Sequence, residues 1–115
     1  MKAKLKFKGR IIEIQNIKKV SYIGKITGLM FKKKETNALL FEFSKPVRKG
    51  IHSFFCKDFL AIWLNNGKIV EYKFIDKWQF SIKPRENFDK LIEIPINKKY
   101  REVIEALITK KPMLK

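Results

Sequence analysis

The fold is decided by the hydrophobic stretch at residues 60–75, LAIWLNNGKIVEYKFI. Two apolar arms flank Asn66 and Gly67, and both residue types adopt the positive φ angles that a two-residue turn requires. Trp63 alternates with Ile62 on the first arm and is expected to lie in the core. The stretch therefore predicts a β-hairpin.

Further strands are predicted on both sides of this hairpin. They are expected at residues 2–8, from 11 up to 16, and at 38–43, 50–56 and 91–95. In the first of them every second residue is lysine, and this period of two gives a half-buried strand with a basic outer face. Gly9 and Arg10 interrupt the pattern before the second strand. The third strand is expected to end at Ser44, Lys45 and Pro46.

A C-terminal helix is expected from residue 98 to about residue 110, because apolar residues recur there at helical spacing. These residues are Tyr100, Val103, Ile104, Leu107 and Ile108. Asn97 is the expected N-cap, and Pro112 ends the helix. A second helix is predicted at residues 18–31, followed by a basic loop at residues 32–34.

Predicted strands outnumber predicted helices, and this balance favours an α+β, β-rich fold. The expected architecture is a twisted, mostly antiparallel sheet or a partly closed barrel with one or two covering helices. The chain has 115 residues, with no repeat or linker-like segment. A single domain over residues 1–115 is therefore expected.

Composition excludes several classes of protein. Cys56 is the only cysteine, so no disulfide forms within the chain. Cys56 and the single histidine, His52, cannot supply the four ligands of a structural zinc site. No apolar run approaches the roughly 20 residues that span a bilayer, and the lysine-rich N-terminus lacks the apolar core of a signal peptide. We therefore expect a cytoplasmic protein without a metal or cofactor.

No catalytic motif emerges from the sequence. Glycine-rich phosphate loops, serine elbows, paired-histidine helices and calcium loops are missing. His52 and Cys56 would lie about 13 Å apart along a strand, too far for a shared hydrogen bond. The eleven acidic residues are scattered and are expected to be surface groups paired with lysines. The sequence therefore favours a protein that is not an enzyme.

Aromatic and basic residues supply the candidate binding positions. The candidate contacts for a ligand or partner are His52, Phe54, Phe55 and Trp78, and the candidate basic patch is Lys32, Lys33, Lys34, Arg48 and Lys49. The leading hypothesis is a non-catalytic module, monomeric or a small homo-oligomer, that binds a small ligand or a protein.

The charge suggests an alternative function. The 27 basic residues against 11 acidic residues give a net charge of +16. Concentrated on one face, they would bind nucleic acid or anionic lipid. Distributed evenly, they would form a solubilising coat, which the scarcity of arginine favours. The alternative hypothesis is nonspecific nucleic-acid binding through lysine.

Four segments, in this order, resemble the domain-of-unknown-function 192 family, also catalogued as uncharacterised protein family 0127. They are residues 28–30 (GLM), 38–43 (ALLFEF), 52–56 (HSFFC) with the hairpin that follows, and 91–95 (LIEIP). The resemblance implies a small β-rich domain of archaea or bacteria without an established activity. Three positions depart from the family pattern. Cys56 replaces a Met, and Asn97 with Lys98 replaces a small residue followed by Gly. The Asp that the family usually places in the hairpin arm aligns near Ala61, and the nearest acidic residue here is Asp58, before the arm.

Overall fold

The computed structural model describes residues 1–19, 37–48, 58–76 and 82–108. These residues form seven strands, a 3₁₀ turn and one α-helix. The strands are β1 (Ala3–Phe7), β2 (Arg10–Ile14), β3 (Lys18–Lys19), β4 (Leu39–Val47), β5 (Phe59–Asn65), β6 (Lys68–Ile75) and β7 (Phe88–Pro95). The 3₁₀ turn (Lys98–Tyr100) leads directly into α1 (Arg101–Ile108).

The strands form two sheets. β1 and β2 pair antiparallel as a two-stranded sheet, and the other five lie in the order β3-β4-β7-β5-β6. All pairs are antiparallel except the short pairing of β3 with β4. Within the described ranges neither sheet closes into a barrel, so the α+β prediction of a mostly antiparallel sheet with a covering helix is confirmed. None of the described helices is long and apolar enough to cross a membrane.

Two hairpins use the same kind of turn. The predicted hairpin, β5–β6, turns at Asn66 (φ 54°) and Gly67 (φ 82°). Lys8 (φ 51°) and Gly9 (φ 78°) join β1 to β2 in the same way. Two consecutive positive φ angles match the right-handed twist of the paired strands. We call β1–β2 the outer hairpin and β5–β6 the central hairpin.

The five-stranded sheet buries both faces, because β5 supplies apolar residues alternately to each. One face, the helix-side core, is covered by the outer hairpin and α1. Its largest buried members are Ile14, Leu60, Ile62, Ile92, Ile94, Tyr100 and Leu107. The other face, the tryptophan-side core, contains Leu39, Phe41, Phe59, Ala61, Trp63, Ile75, Phe88 and Leu91. Trp63 is completely buried, as predicted.

The C-terminal helix is anchored where the sequence predicts. The side chain of Asn97 accepts a hydrogen bond from the Lys99 amide at 2.9 Å. Tyr100, Val103 and Leu107 are buried in the helix-side core. These three residues of the predicted apolar stripe therefore form a core face, and the partly buried Ile104 packs against it.

Several predicted bounds are wrong. β2 ends at Ile14 and does not continue up to Asn16, whose positive φ of 56° interrupts an extended strand. β4 does not end at Ser44, Lys45 and Pro46 but continues to Val47. Its pairing with β7 is irregular over this stretch, and such an irregularity accommodates a proline that has no N–H to donate. β7 begins three residues earlier than predicted, at Phe88.

The predicted helix at residues 18–31 also requires correction. Its first two residues form β3, which pairs in parallel with Leu39 and Leu40 of β4. The Lys18 amide donates to the Ala38 carbonyl at 2.8 Å, so this short pairing outcompetes a helix start. Residues 20–31, like the predicted strand at 50–56, lie outside the described residues.

Candidate functional site

Most residues predicted to form a site lie outside the described part of the chain. This holds for the candidate ligand contacts His52, Phe54, Phe55 and Trp78, and for Lys32, Lys33, Lys34 and Lys49 of the candidate basic patch. Arg48 is described: it is exposed, and its Nε donates to the Pro84 carbonyl at 3.0 Å. Arg48 therefore helps to fix the segment that precedes β7.

An open groove runs beside β6, between the outer hairpin and the segment before β7. Its volume is about 490 Å³. It is lined by Phe7, Ile69, Val70, Glu71, Tyr72, Lys73, Arg85 and Glu86. We call it the β6 groove. Its size falls within the range of small-molecule sites.

Phe7 and Tyr72 form an aromatic wall of the groove, and contacts with neighbouring elements fix both side chains. The rings of Phe7 and Tyr72 meet edge to face, with centroids 5.3 Å apart and an interplanar angle of 84°. The Tyr72 hydroxyl donates to the Leu107 carbonyl near the end of α1 at 2.7 Å. The wall is therefore preorganised by packing and by a hydrogen bond to the helix.

A fixed carboxylate lies on the opposite side of the groove. Glu71 Oε1 accepts a hydrogen bond from the Arg85 amide at 2.8 Å, and Lys73 Nζ lies 3.6 Å from Glu71 Oε2. Lys73, Arg85 and Glu86 are exposed along the rim. Charges of both signs are therefore available beside an apolar wall.

β6 is an edge strand in the described part of the structure, where β5 is the one strand that pairs with it. An edge strand carries amide and carbonyl groups that point away from the sheet and can pair with a further extended chain. Five consecutive residues of this strand, 69–73, line the groove.

The tryptophan-side core contains a buried carboxylate that the sequence did not reveal. Glu93 is 5% exposed and lies in register between Leu39 of β4 and Ala61 of β5. The prediction that the acidic residues are surface groups is therefore wrong for Glu93. Ala61, Trp63 and Leu91 belong to the same face. Alternation within β7 is the one sequence signal that places Glu93 on this face.

Other buried polar atoms lie near the central hairpin. The indole N–H of Trp63 is buried and finds no acceptor among the described residues. Asp89 Oδ1 is also buried without a donor among the described residues, whereas Oδ2 accepts from the Asn66 amide at 3.2 Å and so supports the β5–β6 turn. The described residues contain no group of three potential metal ligands.

The fold is shared with at least two solved structures. One is a "putative transcription regulator" from Sinorhizobium meliloti 1021, with a TM-score of 0.71, 14% identity, and coverage of 89% of this chain and 83% of the other. Another is a protein of unknown function from Novosphingobium aromaticivorans DSM 12444, with a TM-score of 0.68, 11% identity, and coverage of 95% and 78%. At such identities the likeness shows the fold alone. No protein-family model and no curated protein matches the chain.

Proposed function

We propose that this chain is a non-catalytic binding module and that the β6 groove receives an extended segment of a protein partner. The observation that supports this function is the coincidence of the groove with the edge of β6. An added strand gains main-chain hydrogen bonds along the edge, and its side chains are selected by the groove walls.

The residues that line the β6 groove favour a partner segment with one aromatic or aliphatic side chain and one acidic side chain. The edge-to-face pair of Phe7 and Tyr72 offers an apolar contact surface. The exposed side chain of Arg85 offers cationic donors to a carboxylate of the partner. An acidic, partly apolar peptide meets both requirements.

The Glu71 carboxylate in the groove has a structural role. Glu71 is held by the Arg85 amide and by Lys73, which leaves it poorly placed to act as a general base. This arrangement supports binding over turnover.

The binding site is tested by selecting peptides from a random displayed library and measuring their affinity for the protein by calorimetry. Arg85→Glu should weaken the binding of a selected acidic peptide at least tenfold, because it reverses a rim charge. Lys45→Glu makes the same charge change at an exposed position of β4 and should alter affinity less than twofold. Failure to select any peptide, or an equal loss in both variants, contradicts the proposal.

The non-catalytic assignment has its own test. A survey of ester, phosphate and glycoside hydrolysis by the full chain should show no turnover above background. Robust turnover that disappears in Glu93→Gln would overturn the assignment, since Glu93 is the buried carboxylate of the described residues.

We also propose that the chain is a divergent member of the domain-of-unknown-function 192 family. Two of the four segments that carry the resemblance support this proposal: residues 38–43 overlap β4, and residues 91–95 lie in β7. A sequence profile built from close homologues should align these segments with the family's strands. Alignment with a different family would refute the membership.

A further inference from the structure

Positive charge is unevenly distributed over the described structure. Residues 1–19 contain seven basic residues and one acidic residue, a net charge of +6. The other described residues contain ten basic and nine acidic residues, a net charge of +1. A coat that serves solubility would spread the excess over all of these surfaces. The described excess is instead concentrated on the outer hairpin and β3.

The lysines of β1 and its turn form an ordered row. Lys2, Lys4, Lys6 and Lys8 are all exposed, and Leu5 between them is buried. Alternate residues of a strand lie about 6.6 Å apart, so the row extends for about 20 Å. The only acidic residue of the hairpin, Glu13, lies opposite Lys4 and 3.6 Å from Lys2 Nζ. Lys6 and Lys8 thus have no carboxylate of the hairpin beside them.

We propose that the outer face of the outer hairpin binds the phosphate backbone of nucleic acid. Lysine is a compact cation that binds phosphate without reading sequence. A two-stranded ribbon also has a width that the major groove of B-form DNA admits. Lys4 and Lys6 are exposed and do not line the β6 groove, whereas Phe7 lines it and Lys8 Nζ lies 5.3 Å from the centroid of the Phe7 ring. The inference therefore does not depend on the proposed peptide site.

A membrane surface is the less suitable polyanion. Binding at a bilayer interface requires a broad apolar face beside the cations. The described part of the hairpin exposes two large apolar side chains, Ile11 (70%) opposite Lys6 and Met1 (62%) at the end of the row. Two separate side chains provide little area to bury among acyl chains.

The test measures binding of a fluorescent 20-base-pair DNA duplex by anisotropy between about 50 and 200 mM salt. The double variant Lys4→Gln/Lys6→Gln should raise the dissociation constant at least tenfold at the lowest salt. It should also reduce the slope of log K against log salt by about 2, close to one unit for each phosphate contact removed. The matched control, Lys45→Gln/Lys83→Gln, removes two exposed lysines from other elements and should keep the wild-type slope.

Three results would overturn the inference. The first is an absence of DNA binding at 50 mM salt. The second is an equal loss of binding in the control variant, which would mean that net charge alone acts. The third is hairpin-dependent binding to vesicles containing phosphatidylserine that is tighter than binding to the duplex. Circular dichroism verifies that both double variants are folded, and unchanged peptide affinity in Lys4→Gln/Lys6→Gln separates this surface from the β6 groove.

Discussion

The outer and central hairpins share a turn geometry but differ in what their strands bury. In the central hairpin, β5 is buried on both faces from Phe59 to Leu64, and its sequence is almost continuously apolar. In the outer hairpin, β1 buries one face, and lysine occupies the other. The number of buried faces thus determines the hydrophobic pattern of each strand. The twist of the paired strands determines the geometry of the turn.

The same comparison explains the two turn sequences. Asn66 and Lys8 adopt nearly equal positive φ angles, although lysine is a poorer residue for this conformation. The central turn is further supported by Asp89, whose carboxylate accepts the Asn66 amide. The outer turn uses a suboptimal residue that extends the row of lysines by one.

The largest test of the comparison is a pair of truncations, one in each hairpin. Trp63→Ala should lower the free energy of unfolding by about 3–5 kcal/mol, because Trp63 is completely buried between two strands. Ile11→Ala should change it by less than about 0.5 kcal/mol, because Ile11 is 70% exposed. Urea unfolding of both variants measures the difference. Similar losses would contradict the exposed position of Ile11 on the outer face of β2.

A second truncation tests how the two hairpins are joined. The end of α1 accepts one hydrogen bond from each of them, from Arg10 to Ala106 at 3.2 Å and from Tyr72 to Leu107 at 2.7 Å. Leu107→Ala should lower stability by about 2–5 kcal/mol, whereas the exposed Glu105→Ala should change it little.

Unfolding midpoints of Leu107→Ala and Glu105→Ala measure the difference. An unchanged midpoint in Leu107→Ala would contradict the packing of Leu107 in the helix-side core. Increased hydrogen exchange in β1 and β2 of Leu107→Ala would show that the helix holds the outer hairpin in place.

A third prediction concerns the hydroxyl of Tyr100, which binds both chain segments that flank β3. It accepts from the Ala38 amide at 2.8 Å and donates to the Asn16 carbonyl at 3.1 Å. Tyr100→Phe leaves both groups unpaired and should lower stability by about 1–3 kcal/mol near neutral pH. No loss would mean that water replaces the hydroxyl.

The same hydroxyl makes this contribution dependent on pH. Burial raises the pKa of Tyr100 above 10.0, and the hydrogen bond from Ala38 offsets part of that rise. The unfolded chain therefore ionises first, so the contribution is complete below pH 10 and is lost as the pH rises through the folded-state pKa. Unfolding midpoints of wild type and Tyr100→Phe should converge above pH 10 and stay parallel below pH 9.

The smallest effect is expected when the first residues of the two turns are exchanged. Lys8→Asn should stabilise the protein by a few tenths to about 1 kcal/mol, because asparagine tolerates positive φ better than lysine. Asn66→Lys should destabilise it by a similar amount. Thermal unfolding at moderate salt measures both. Opposite signs would show that the charge at position 8 matters more than its backbone conformation.

The two hairpin turns, the helix cap and β3 show how far the sequence predicts the structure. Asn66, Gly67 and Asn97 act through their own backbone neighbourhood, so the central turn and the helix cap were predictable. The turn at Lys8 and Gly9 is equally local. It lacks an asparagine, however, so the sequence indicated only a break between two strands and not a hairpin turn. β3 was unpredictable because Lys18 depends on the Ala38 carbonyl from another part of the chain.

The β6 groove was unpredictable for the same reason. It combines Phe7, the middle of β6, and Arg85, and their meeting depends on how the outer hairpin packs. The burial of Glu93 likewise depends on the strands on either side of it. A site assembled from distant segments leaves no local pattern in a single sequence.

The hydrogen bonds that join the ends of the chain also govern how it folds. Arg10 and Ala106 are 96 residues apart, and Tyr100 and Asn16 are 84 residues apart. Contacts of such long range slow folding, whereas a hairpin such as β1–β2 forms within about 1–10 μs. During synthesis the outer hairpin emerges before α1, so its apolar face stays uncovered until the helix has formed. The lysines along β1 then discourage pairing with other chains, since charges on an edge strand oppose aggregation.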